Sequence, residues 1–190
     1  MLYKKLYCGA DDSNHAGDSK GEFIVVTFSY LKEDAIPRYF KNKRDYSGTK
    51  EWLKNPLRDY RFTILLRERY RHSRNNLIDI APLLIKEYLS KKERLEGISL
   101  YLDGEITNFY IEKIREIMKK MFLVNKAYVK GFSKKTLGEF HKRYFCPELV
   151  YRADVLANEL YSYNGPIKEI FSHEKLIPLE RLVEKIDTSN

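Results

Sequence analysis

Apolar residues in this chain come in short blocks separated by polar and glycine-containing breaks, and the blocks predict most of the elements. Leu2–Ala10 is mainly apolar and stops at Asp11-Asp12-Ser13, which reads as a first strand. Ser13–Gly21 is polar with two glycines and reads as a turn or loop. Glu22–Tyr30 (EFIVVTFSY) is β-branched and aromatic, a second strand placed to form an antiparallel hairpin with the first. Tyr60–Leu66 (YRFTILL) is a third strand. Ile98–Asp103 (ISLYLD) is a fourth, broken by Gly104, and Ala127–Gly131 is a short fifth.

Helical spacing appears three times. Leu77, Ile80, Ala81, Leu84 and Tyr88 predict a helix capped by Asn75 or Asn76 and running to about Lys92, with Pro82 awkward inside it. Asn108 to about Met121 is amphipathic. Pro147 suits the first position of a helix reaching Tyr163, with an apolar stripe of Val150, Ala153, Ala157, Leu160 and Tyr161. Residues 31–59 read as a basic, partly helical insertion, Ser133–Tyr144 as a basic, helical stretch, and Ile177–Ile186 as a polar C-terminal helix. The order β-β-β-α-β-α-β-α predicts one α/β domain over residues 1–190, with basic insertions near 31–59 and 133–144.

Composition agrees with a globular chain of 190 residues, 43% apolar and 33% charged. The chain shows no uninterrupted apolar run of transmembrane length and no signal-peptide pattern at its start, so the expected location is cytoplasmic. Cys8 and Cys146 are expected as reduced, buried thiols. Gln is absent while Lys, Glu, Ile and Tyr abound, a balance that points to a thermophilic source. The formal charge of +8 is concentrated. Residues 38–74 carry twelve Lys/Arg against four Asp/Glu, and residues 113–143 carry ten against two. Two basic segments beside an acidic remainder suit a polyanionic partner, nucleic acid first, although solvated helices and loops would also carry such charge. Aromatics interleave with the basic runs, at Tyr39-Phe40-Lys41, around Tyr70, and at Phe140–Tyr144.

Three aspartates stand out. Asp154 falls on the apolar stripe of the last long helix, where an ionised carboxylate is costly without a compensating cation or donor. The competing reading places it at the edge of the stripe, paired with Arg152 or with a cap. Asp103 ends the fourth strand just before Gly104, and strand ends open into the ligand-binding edge of α/β sheets. Asp11 closes the first strand. Alone, either of the last two is equally a turn residue.

The motifs around these residues are Ala10-Asp11-Asp12-Ser13-Asn14, Asp103-Gly104 and Arg152-Ala153-Asp154-Val155-Leu156-Ala157. With them the chain resembles the predicted RNase H-like nuclease families, whose first strand ends Asp-Glu-Ser-Gly and whose last helix carries Ala-Asp-Leu. The resemblance implies an RNase H-like fold, a mixed five-stranded sheet flanked by helices. It also implies metal-ligand roles for Asp11, Asp103 and Asp154, holding two Mg2+ or Mn2+ ions about 4 Å apart for in-line hydrolysis of a phosphodiester. Oxygen donors suit such hard cations. The chain departs from the pattern at Asp12, Asn14 and Val155. A fourth carboxylate is expected on the helix after the third strand, where Asp79 is preferred over Glu87.

Other residues carry less. His15 could act as a general base, His72 and His141 sit in basic runs, His173 has no context, and Glu105 follows Asp103-Gly104. No phosphate-binding GKS/GKT loop and no GxGxxG occur, and Ser13 lacks a nucleophile-elbow context. The expectation is a metal-dependent nuclease acting on RNA or DNA. The alternatives are a non-catalytic nucleic-acid-binding module or a protein-interaction module on the same fold.

Overall fold

The computed structural model describes residues 4–13, 21–40, 59–66, 74–89, 95–132, 136–137, 141–142, 144–163 and 175–182. Its centre is a five-stranded sheet of β1 (Lys4–Ser13), β2 (Glu22–Ser29), β4 (Tyr60–Leu65), β5 (Leu95–Asp103) and β6 (Lys126–Phe132). The spatial order is β4-β2-β1-β5-β6. The sheet is mixed: β2 is antiparallel to β1 and β4, while β5 is parallel to β1 and β6. The fold is therefore α/β with a mixed five-stranded sheet flanked by helices, as expected.

Alternation along β1 divides the two faces. Leu6, Cys8 and Ala10 point into the main core with Ile24, Val26, Ile98, Leu100 and Leu102. That face is covered by α1 (Arg74–Tyr88), through Leu77, Ala81 and Leu84, and by α2 (Asn108–Phe122), through Ile114 and Met118. The opposite face is covered by α3 (Glu148–Ser162), which lies mainly over β1 and β2. There Ala153, Leu156, Ala157 and Leu160 pack on Phe23, Val25, Tyr60 and Phe62. Burial on both faces explains why the strands read as near-continuous apolar runs.

Helix α1 runs through Pro82 and ends at Tyr88, short of Lys92. Proline removes one backbone donor, but the buried Leu83, Leu84 and Ile85 beyond it hold the chain in register against the sheet. Residues 133–144 are not helical where described. Thr136–Leu137 (β7) pairs with His141–Lys142 (β8), and β9 (Tyr144–Pro147) pairs with β3 (Pro37–Phe40). Aromatic packing of Tyr39 on Phe145, with centroids 4.8 Å apart, favours extended chain there. Before β3, Lys32–Ala35 forms a single 3-10 turn. Residues 41–58 of the first insertion lie outside the described residues. Of the expected C-terminal helix, residues 179–182 are helical, Ile177 and Pro178 are not, since Ile177 donates its N–H to the Phe62 carbonyl, and residues 183–186 lie outside the described residues. Cys8 and Cys146 are buried free thiols. Among the described residues no helix is long and apolar enough to cross a membrane.

Candidate functional site

Asp11 sits near the end of the central strand, on the α3 face, because it alternates with Ala10. In the parallel ladder Ala10 is level with Leu102, so the next step sets Asp103 beside Asp11 on the same face. Gly104 follows with φ +94°, a conformation open to glycine, and donates its N–H to the Phe132 carbonyl at 2.8 Å. The Asp-Gly pair thus ends β5 and leaves Asp103 half-buried at the strand's C-terminal edge.

Helix α3 brings the third carboxylate. Its first turn rests directly on Gly9, where an added Cβ would lie 2.3 Å from the Leu149 carbonyl carbon and 2.5 Å from the Val150 nitrogen. Thr27, opposite Gly9 on β2, donates its hydroxyl to the Leu149 carbonyl at 2.8 Å. From that contact the helix advances about 7.5 Å to Asp154 and the strand about 6.6 Å to Asp11. The two carboxyl groups come within hydrogen-bonding reach of each other.

The electrostatics follow from this crowding. Asp11 is 4% exposed. Its Oδ1 accepts the Asp12 N–H at 2.8 Å, while its buried Oδ2 meets no hydrogen-bond donor among the described residues. Burial holds the Asp11 carboxyl well above the usual carboxylate range. The charges of Asp103, Asp154 and Asp12 add to the effect. Such a group of carboxylates calls for a shared proton or a counter-charge.

Asp154 is buried on the apolar stripe. Arg152 bonds Glu148 and approaches Asp34 at 3.5 Å, and Glu148 also binds Arg38. This network ties the start of α3 to the 3-10 turn and to β3. Asn158, one turn after Asp154, donates to Asp154 Oδ1 at 2.9 Å and to its carbonyl at 2.6 Å. Sequence reasoning missed Asn158, although an amide four residues beyond an aspartate on a helix is a readable pair. It also missed Glu22, buried at the start of β2 on the α1 face, which accepts from Asn76 at 3.0 Å.

The structure does not bring every candidate to this place. Asp79 is exposed on α1, which packs on the opposite face of the sheet. Glu87 has a buried side chain that pairs with Arg181 at 2.8 Å and is engaged there. Glu105 is exposed beyond Gly104. His141 lies on β8, and His15, His72 and His173 lie outside the described residues. Among the described residues no three His, Cys, Asp or Glu side chains already stand at metal-coordination spacing. The donor set is all carboxylate, and Asp11 Oδ2 is a buried acceptor lacking a donor, so the chemistry of the residues fits a hard divalent cation.

Comparison with solved structures finds the crystal structure of the ribonuclease H2 from Pyrococcus horikoshii OT3. The TM-score is 0.46 at 16% identity, covering 96% of this chain and 76% of that chain. No family model matches the sequence, and no curated protein matches it.

Proposed function

We propose that this chain is a metal-dependent nuclease with an RNase H-like fold that hydrolyses phosphodiester bonds of RNA or DNA. One observation supports the reading. Ala10 lies level with Leu102 in the parallel ladder, which sets the following Asp11 and Asp103 at neighbouring strand ends, and burial with the charges of Asp103 and Asp154 raises the Asp11 carboxyl. These three aspartates are the ones that the motif resemblance implies. The two dense basic segments add a charge balance suited to a polyanion.

In this reading Asp11, Asp103 and Asp154 would hold Mg2+ or Mn2+. When bound, such a cation supplies charge neutralisation at the phosphate and an acidified water. The chain does the rest. The Asp12 N–H orients Asp11, the Asn158 amide orients Asp154, and Gly104 ends the strand so that Asp103 faces the open edge. A second reading, a nucleic-acid-binding module without catalysis, would keep the basic segments and hold no metal, and among the described residues no three such side chains stand at coordination spacing.

The test is cleavage of end-labelled single-stranded and duplex oligonucleotides in Mn2+, with chelator as control. Wild type is expected to cleave only with the metal, and Asp103→Asn and Asp154→Asn to lose activity on the order of 10³-fold. Asp79→Asn runs beside them, since a loss as deep as theirs would bring Asp79 into the site. Cleavage that survives chelator, or that persists in Asp103→Asn, would refute the proposal.

A further inference from the structure

Helix α3 covers Phe132 and part of Tyr101 through Val150, Tyr151 and Val155 but leaves Tyr128 and Lys130 on β6 open, so the face of β5 and β6 is neither plainly apolar nor plainly solvated. The parallel register sets Ser99 beside Tyr128, Tyr101 beside Lys130, and Asp103 beside Phe132. Partners level in a parallel ladder share a face, so these six residues form two adjacent rows on the α3 side. Tyr101 centres a ring cluster, 5.8 Å from Tyr128 and 5.9 Å from Phe132. Phe132 is buried, Tyr101 half-buried, and Tyr128 41% exposed, so the rings rise from the core to the surface of the edge strand.

Cations accompany the rings. Lys130, exposed, places Nζ 4.9 Å from the Phe132 centroid, and Arg115 reaches around the edge of the sheet to 6.0 Å from Tyr128. Arg115 also pairs with Glu112, and exposed Lys126 continues the row of Tyr128 and Lys130 away from Asp103, so Lys130 is the lysine of that row nearest the carboxylates. At the far end Lys5 lies 5.3 Å from the Tyr7 centroid and Glu33 and Glu96 act on the same ring, so charge there is mixed.

We infer that Tyr101, Tyr128 and Lys130 form a shelf for single-stranded nucleic acid leading to Asp103. An exposed ring offers a stacking surface to any unpaired base, and an adjacent lysine meets the backbone phosphate. Base-paired nucleic acid buries its base faces in its own stack and cannot use an isolated tyrosine this way. The position of the shelf is its second support. The Asp103–Phe132 pair joins it to the carboxylate cluster without a gap in the register, so a strand stacked on Tyr128 and passing Lys130 arrives at Asp103. The inference deepens the nuclease reading by naming unpaired strands as the class engaged next to the cluster, and it rests on that reading only for what happens after binding.

The test is fluorescence anisotropy with labelled single-stranded RNA, single-stranded DNA and a duplex of the same sequence, all in chelator so that binding is separated from metal and cleavage. Wild type is expected to bind a single strand more tightly than the duplex, and the RNA and DNA arms show which backbone is preferred. Tyr128→Leu keeps apolar bulk but removes the ring and is expected to weaken binding about tenfold, with Tyr128→Phe restoring it. Lys130→Ala is expected to lower the slope of log affinity against log salt by about 0.7, the share of one phosphate on a single strand. Equal binding by wild type, Tyr128→Leu and Lys130→Ala, or tighter binding of the duplex, would overturn the shelf. That result alongside intact Mn2+-dependent cleavage would leave the nuclease reading standing. An intact shelf with no cleavage would leave a binding module.

Discussion

The two faces of the sheet are built from the same strands and do opposite things. On the α1–α2 face, β1 and β5 present Leu6, Cys8, Ala10, Ile98, Leu100 and Leu102, each with no exposed surface. On the α3 face the intervening positions are Tyr7, Gly9, Asp11, Ser13, Ser99, Tyr101 and Asp103. One face is an apolar slab that fixes the strands. The other carries hydroxyls, rings and carboxylates under a helix that itself contributes Asp154, Arg152 and Glu148, all buried. A strand buried on both sides gains nothing from polar residues on one of them. The polar groups retained there are the ones that the proposed nuclease reading uses.

Separating the roles of the faces calls for substitutions on each. The largest stability effect is expected on the apolar face. Leu84→Ala should cost about 2–5 kcal/mol in urea unfolding, since the side chain is fully buried between α1 and the sheet. Its metal binding should stay intact below the transition. Gly9→Ala acts on the other face by overpacking, because the new methyl group would strike the α3 backbone. A loss of about 1–3 kcal/mol is expected, together with weakened Mn2+ binding, because α3 can accommodate the methyl only by lifting Asp154 away from Asp11. Equal metal affinity in Gly9→Ala and wild type would contradict the role given to that contact.

The smallest effect has the opposite sign. The Asp11 carboxyl is raised in the folded chain, by burial first and by Asp103 and Asp154 next. The folded state therefore holds its proton more tightly than the unfolded state does. The stability this gives is fully present below the unfolded value, about pH 4, and is lost as pH rises through the folded value. Without metal, wild type should lose stability as pH rises toward neutrality, and Asp11→Asn should flatten that slope and be the more stable protein at the upper end. Parallel pH profiles for the two proteins in chelator would contradict the crowding of carboxylates at Asp11.

Much of this was legible in the sequence. The sheet strands stand out as short apolar runs, most plainly β2, which is β-branched and buried on both faces, and the α3 stripe shows because its small residues, Ala153 and Ala157, repeat at helical spacing. The three aspartates could be picked as unusual one at a time. Their approach to one another could not be read, since it depends on parallel pairing of β1 with β5 across an intervening hairpin and helix, and on Gly9 admitting the α3 backbone. The short strands β3 and β7–β9 were missed because two to four residues carry too little periodicity, and their pairing is set by tertiary contacts. Asp79 was chosen from its place along a helix, without knowledge of which face of the sheet that helix covers.

The most direct test of the carboxylate cluster is Mn2+ titration by calorimetry on wild type and Asp103→Asn. The account predicts saturable binding to wild type and strongly weakened binding in the variant. Absence of binding to wild type, or equal binding by both proteins, would contradict it.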